Sequence, residues 1–134
     1  MRQIAKAEYA NAPSGIDGDD DCGQMSAWFL FSAMGFYPVN PASAEYMIGS
    51  PLFGSMSLKL ANGKTFTVVA KNNSAANVYI QSATLNGKAL EKPVVTYSEI
   101  MQGGHLEFLM GSEPSKWASA WRGRPVGHEL SVTD

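Results

Sequence analysis

The sequence predicts an α+β fold, a short helical part followed by an antiparallel, sandwich-like sheet. Two changes of pattern carry that reading. Apolar residues recur at helical spacing near the start and then crowd a stretch of 23 residues without a charge, Cys22 to Ala44. From about Glu45 the period changes to two, with Asn-Gly and Gly-Gly dipeptides between the alternating runs. The chain has 134 residues, 45% hydrophobic and 16% charged, so it makes one domain or at most two and is too apolar for disorder.

Arg2, Ile4, Ala5, Glu8 and Tyr9 fit one short amphipathic helix, which Ala12-Pro13-Ser14-Gly15 ends. Met25 to Tyr37 is apolar on every face of a helix, and Pro38 closes the run. It is too short to cross a bilayer, which needs about 20 apolar residues. A helix apolar all round must be surrounded by protein, so an enclosed helix is predicted over about 22–36. Asp21 can cap it, with Gln24 three residues later as in a capping box.

Further on, Met56, Leu58 and Leu60 alternate with Ser57 and Lys59, and Phe66, Val68 and Ala70 with Thr65 and Thr67. Asn62-Gly63 between them predicts a hairpin with positive φ at both turn positions. Asn86-Gly87 follows the run Val78 to Leu85, and Gly103-Gly104 precedes His105 to Met110. Five or six antiparallel strands are expected between about 45 and 111. A sheet with one apolar face cannot enclose a helix apolar all round. The two zones are therefore expected not to share one core, with further protein around the helix. The chain divides into a helical segment with an acidic loop (1–44), a β part (45–117) and a tail (118–134).

Net charge is −2, from 10 basic and 12 acidic residues, and no basic stripe runs along any segment. Nucleic acid is excluded as a partner on that ground, and no segment reads as a membrane anchor. A single cysteine, Cys22, rules out an internal disulfide framework and a cysteine zinc site. Residues 1–10 lack the apolar core of an export signal.

The densest chemistry lies in Gly15 to Gln24, where Asp17, Asp19, Asp20 and Asp21 fall within five positions. Such carboxylates repel one another unless a cation, a helix N-terminus or protonation relieves them. The loop reads as a solvated turn with an N-cap, as a calcium loop, or as catalytic carboxylates held by the helix behind them. Asp17, Asp19 and Asp21 have the first spacings of an EF-hand, but Cys22 and Trp28 stand where its glycine and last glutamate belong, so that motif fails.

The run Gly18-Asp19-Asp20-Asp21-Cys22-Gly23-Gln24-Met25-Ser26-Ala27-Trp28, followed by Phe31-Ser32-Ala33-Met34-Gly35-Phe36-Tyr37-Pro38-Val39, resembles the late signature of glycoside hydrolase family 92. Tyr46 to Phe53, Tyr79 to Gly87 and Gly103 to Gly111 agree with it in the same order. The resemblance implies a calcium-dependent, inverting exo-α-mannosidase acting on mannose-containing glycans, periplasmic or extracellular. It implies an N-terminal β-sandwich and an (α/α)6-barrel, with residues 1–44 as the barrel's last segment and a C-terminal β portion after it. The missing barrel and N-terminal domain, or a second copy of the chain, would then cover the apolar helix.

By this resemblance the loop supplies the base side of the reaction through Asp19 and Asp21, with Asp20 a support or a solvent-facing charge. Relatives often carry Asn at the position of Asp19, which leaves open which aspartate is the base. The family's general acid is a glutamate far upstream, and nothing here matches it. Glu8, Glu45, Glu91, Glu99, Glu107, Glu113 and Glu129 read as solvated surface. Most of the calcium shell is also expected upstream, so no metal ligand is assigned.

Trp28, Phe29 and Phe36 read as core, and Tyr37, Trp117 and Trp121 as interdomain contacts ahead of sugar platforms. His105 reads as a strand histidine, and His128 lies in a Gly/Pro-rich tail. Three aspartates beside Cys22 disfavour a thiolate nucleophile. The chain alone is expected to be inactive. The alternative is a non-catalytic β-sandwich module that binds glycans or packs against partners, which explains the sheet but not the acidic loop.

Overall fold

A computed structural model describes residues 2–16 and 18–123. Helix α1 (Arg2–Ala7) opens the chain, with Ala5 its buried residue, and is shorter than the apolar spacing suggested. Tyr9 has already left the helix and bridges Ile16 across a tight loop. Gly15 makes that loop possible, because a Cβ there would lie 1.9 Å from the Ala10 carbonyl oxygen.

A 3-10 turn at Asp21–Gly23 leads into α2 (Gln24–Met34). The helix ends at Gly35, whose φ of 94° is open to glycine and strained for other residues. The Gly35 N–H donates to the Phe31 and Ser32 carbonyls, and its own carbonyl accepts from Gly49 at 2.8 Å. The expected Asp21–Gln24 capping box does not form. Cys22 (φ 53°) and Gly23 (φ 78°) are left-handed, and Gly23, without a side-chain cap bond, takes the N-cap position.

Eight strands form two sheets. The smaller contains β1 (Phe36–Asn40), β2 (Glu45–Ile48) and β7 (Val94–Thr96) in the order β1-β2-β7. The larger contains β3 (Ser55–Lys59), β4 (Thr65–Lys71), β5 (Tyr79–Leu85), β6 (Lys88–Ala89) and β8 (Gly104–Gly111) in the order β3-β4-β8-β5-β6. A short helix α3 (Tyr97–Met101) joins β7 to β8. The α+β expectation is met. Every strand pair is antiparallel except β4–β8, which is parallel. The exception is geometric: β8 lies between two strands that run oppositely, so it must run parallel to one of them.

The hairpins turn where the Asn-Gly pairs stand, with Lys59 opposite Thr65 and Leu85 opposite Lys88. Asn86 and Gly87 both have positive φ (51° and 80°). At Asn62-Gly63 only the glycine does (φ 81°), in a wider turn in which Leu60 donates to the Lys64 carbonyl.

Strands β4 and β8 bury Phe66, Val68, Ala70, Leu106, Phe108 and Met110 and turn Thr67, Val69, His105 and Glu107 outward. Phe36 of β1 joins the same core. It is fully buried, with edge contacts to Phe66 at 6.2 Å and Tyr46 at 5.8 Å. Burial of one such ring contributes roughly 1.5–3 kcal/mol.

Two corrections follow. Met34 and Phe36 belong to one core with Phe66, Val95 and Phe108, so the helical zone and the sheet do share a core. Pro38 lies within strand β1, on the smaller sheet's edge, where the N–H it lacks is not needed, and strand structure begins at Phe36 instead of near position 45. Among the described residues α2 is covered only in part. Ser32, Ala33 and Met34 are buried, whereas Leu30 is 54% exposed.

Arg2 fastens α1 to the sandwich. Its guanidinium donates to the Ser74 carbonyl at 2.9 Å, to the Pro51 carbonyl at 2.5 Å and to Asn73 Oδ1. Trp117 fastens the segment after β8, its indole N–H donating to the Leu90 carbonyl at 2.7 Å, a structural role. Glu99 and Glu107 are not merely solvated. Glu99 completes a capping box with Thr96 at the start of α3, and Glu107 pairs with Lys71 at 2.8 Å.

Candidate active site

Two anchors hold the acidic loop. On one side the Tyr9–Ile16 bridge closes the preceding turn, where Ala10 donates to the Gly15 carbonyl at 2.8 Å. On the other, the Asp20 carboxylate receives two bonds from Ser26 in the first turn of α2. The Ser26 backbone N–H donates to Oδ1 at 3.0 Å, and its hydroxyl to Oδ2 at 2.5 Å. Asp20 thus takes the capping task expected of Asp21, because the left-handed Cys22-Gly23 step carries Asp21 past the helix end.

The Ser26 hydroxyl is the main influence holding the Asp20 pKa below the ordinary carboxylate value, followed by the Ser26 N–H; slight burial opposes them, and a Met25 backbone bond assists. A carboxylate at a helix N-terminus also meets the favourable end of the backbone dipoles. The Asp19 and Asp21 carboxylates flank this anchor, exposed to solvent and with no hydrogen-bond partner among the described residues. Asp17 lies outside the described residues. The loop therefore presents two unengaged carboxylates from one tethered segment.

Behind the loop, the Tyr9 hydroxyl donates to the Met25 carbonyl at 3.0 Å, and its ring stacks on Trp28 with centroids 5.6 Å apart. Burial pushes the Tyr9 pKa up, and Asp20, Glu8 and Tyr37 add to the effect. Trp28 is only part-buried in this chain. Cys22 is exposed.

Among the described residues no three of His, Cys, Asp and Glu converge, and both Asp20 oxygens are taken by Ser26. Sequence reasoning missed Ser26 and Tyr9. Gly23, a residue that readily turns left-handed, was the one signal that the cap moves back from Asp21.

These features describe a carboxylate-bearing loop tethered ahead of a helix, and similarity to known proteins gives its family. The family model described as glycosyl hydrolase family 92 catalytic domain matches residues 1–112. A family 92 α-mannosidase from Bacteroides thetaiotaomicron, also solved with mannoimidazole, superposes with a TM-score of 0.80 at 42% identity. An inverting mannosidase of the same family and organism gives 0.76 at 47% identity. An uncharacterized secreted glycosidase of Arthroderma benhamiae is 37% identical over 116 residues. In each case 84% of this chain matches 15% of the relative's length. The chain belongs to glycoside hydrolase family 92.

Proposed function

We propose that the protein to which this chain contributes is an inverting exo-α-mannosidase acting on mannose-containing glycans outside the cytoplasm. In this reading Asp19 and Asp21 form the base side of its active site. The observation that carries the assignment is the anchored Asp20 between two free carboxylates. Family membership and α-mannosidase neighbours supply the substrate class.

In an inverting hydrolase an acid protonates the leaving oxygen while a carboxylate opposite removes a proton from the attacking water. The two groups stand about 6.5–9.5 Å apart to admit that water. One of Asp19 and Asp21 takes the water's proton, and the other orients that base or the water. The acid and the calcium ion come from elsewhere in the protein.

Proton NMR of a fresh digest of a methyl α-mannoside by the parent protein tests the reading. β-Mannose should appear first and mutarotate to the α-anomer, and activity should vanish with a calcium chelator and return with calcium. First release of α-mannose contradicts inversion.

A further inference from the structure

Asp20 and Ser26 stand six residues apart, and their two hydrogen bonds close a ring of chain around Asp21. An ordinary helix cap reaches only two or three residues. This one spans the 3-10 turn Asp21–Gly23 and its left-handed Cys22 and Gly23, and the Gly23 N–H donates to the Asp20 carbonyl at 3.0 Å within it. We propose that Ser26 is a positioning residue for the hydrolysis, its hydroxyl fixing, through Asp20, the stretch of backbone that aims Asp19 and Asp21. The proposal rests on the mannosidase reading above and names what holds its base side in place.

The two bonds are not equivalent. The backbone N–H bond to Oδ1, at 3.0 Å, is open to most residues at this position, whereas the hydroxyl bond to Oδ2, at 2.5 Å, needs the serine. A hydrogen bond to an ionised group is shorter and stronger than one between neutral groups. The helix itself does not call for serine here, since alanine is the better helix former. The hydroxyl therefore serves the loop and not α2.

Ser26 is well placed for that task. It is the third residue of α2, and the other end of this helix enters the sandwich core through Met34. The loop is thus tied to a seated element. A left-handed residue other than glycine, such as Cys22 (φ 53°), persists where its surroundings hold it, and the closed ring supplies that hold. Upstream, the Tyr9–Ile16 bridge fixes the other side of the loop. Displacing a reacting group by about 1 Å can cost about 10²-fold in rate, so a partial loosening of the ring should be visible in kcat.

The test is a double-mutant cycle on the parent protein, assayed with α-mannobiose. Ser26→Ala should lower kcat about tenfold with KM little changed, and Ser26→Thr, which keeps the hydroxyl, should retain most of the native rate. Asp20→Ala should lower kcat at least as far, and the Ser26→Ala/Asp20→Ala double variant should be no slower than Asp20→Ala alone, because the two residues act as one unit. Thr96→Ala, which removes the cap of α3, should leave kcat unchanged and so separates the effect from a general loss of stability. Near-native kcat in Ser26→Ala overturns the proposal. So does Ser26→Thr as slow as Ser26→Ala, or a double variant in which the two losses multiply. Asp19→Asn and Asp21→Asn report separately on the base. Near-native kcat in both sinks the underlying reading, whereas a loss in either beside a native Ser26→Ala sinks the positioning role alone.

Discussion

Asp20 uses both carboxylate oxygens on Ser26, while the Asp19 and Asp21 carboxylates beside it make no hydrogen bond among the described residues. The Ser26 hydroxyl is the largest influence lowering its pKa. Asp20 therefore steadies the loop above the ordinary carboxylate range, and the effect fades as pH falls through its depressed folded value. Ser26→Ala should move the Asp20 titration up toward the ordinary value, which 13C NMR of the side-chain carboxyl reads directly. An unmoved titration contradicts the assignment. The aspartates were legible as a cluster from spacing alone, but their division of labour was not. The spacing of Asp21 and Gln24 matches a capping box, yet capping depends on backbone direction, and Cys22 and Gly23 turn left-handed between them.

Among the elements, α3 shows how local chemistry starts a short helix inside a sheet protein. The Thr96 hydroxyl accepts from the Glu99 N–H, and a Glu99 carboxylate oxygen accepts from the Thr96 N–H at 2.7 Å. Burial pushes the Glu99 pKa up, but the Thr96 bonds and Lys92 outweigh it, and the net shift is downward. A depressed carboxylate stabilises the fold above its unfolded value, about 4.3 for Glu, and the contribution is lost as pH falls through the folded value. Thr96→Ala should cost about 1 kcal/mol at neutral pH. In urea unfolding, that difference from the native chain should shrink near pH 3, and a difference independent of pH would contradict the capping account. Both hairpins were legible because Asn-Gly is a local turn signal. The β4–β8 pairing was not, because it joins strands separated by β5, β6, β7 and α3, and no local pattern records which gap a later strand will fill.

At the scale of the whole molecule, the apolar run Met25 to Tyr37 was legible as a helix needing company, and the fold supplies company at one end only. Met34 and the adjoining Phe36 enter the sandwich core, while Leu30 and Ile4 stay more than half exposed, at 54% and 51%. The chain spans 15% of the length of its matched relatives, and the proposed reading places the general acid outside it. Inverting chemistry needs both sides of the sugar, so the isolated chain should release no mannose from α-mannobiose even with calcium in excess. Release by the pure chain would contradict that. The most direct measurement of the central claim is the turnover of the parent protein carrying Asp19→Asn or Asp21→Asn. At least one should lower kcat by about 10²-fold or more with KM little changed, as loss of a general base does. Near-normal kcat in both single variants would contradict the claim and place the base outside this loop pair.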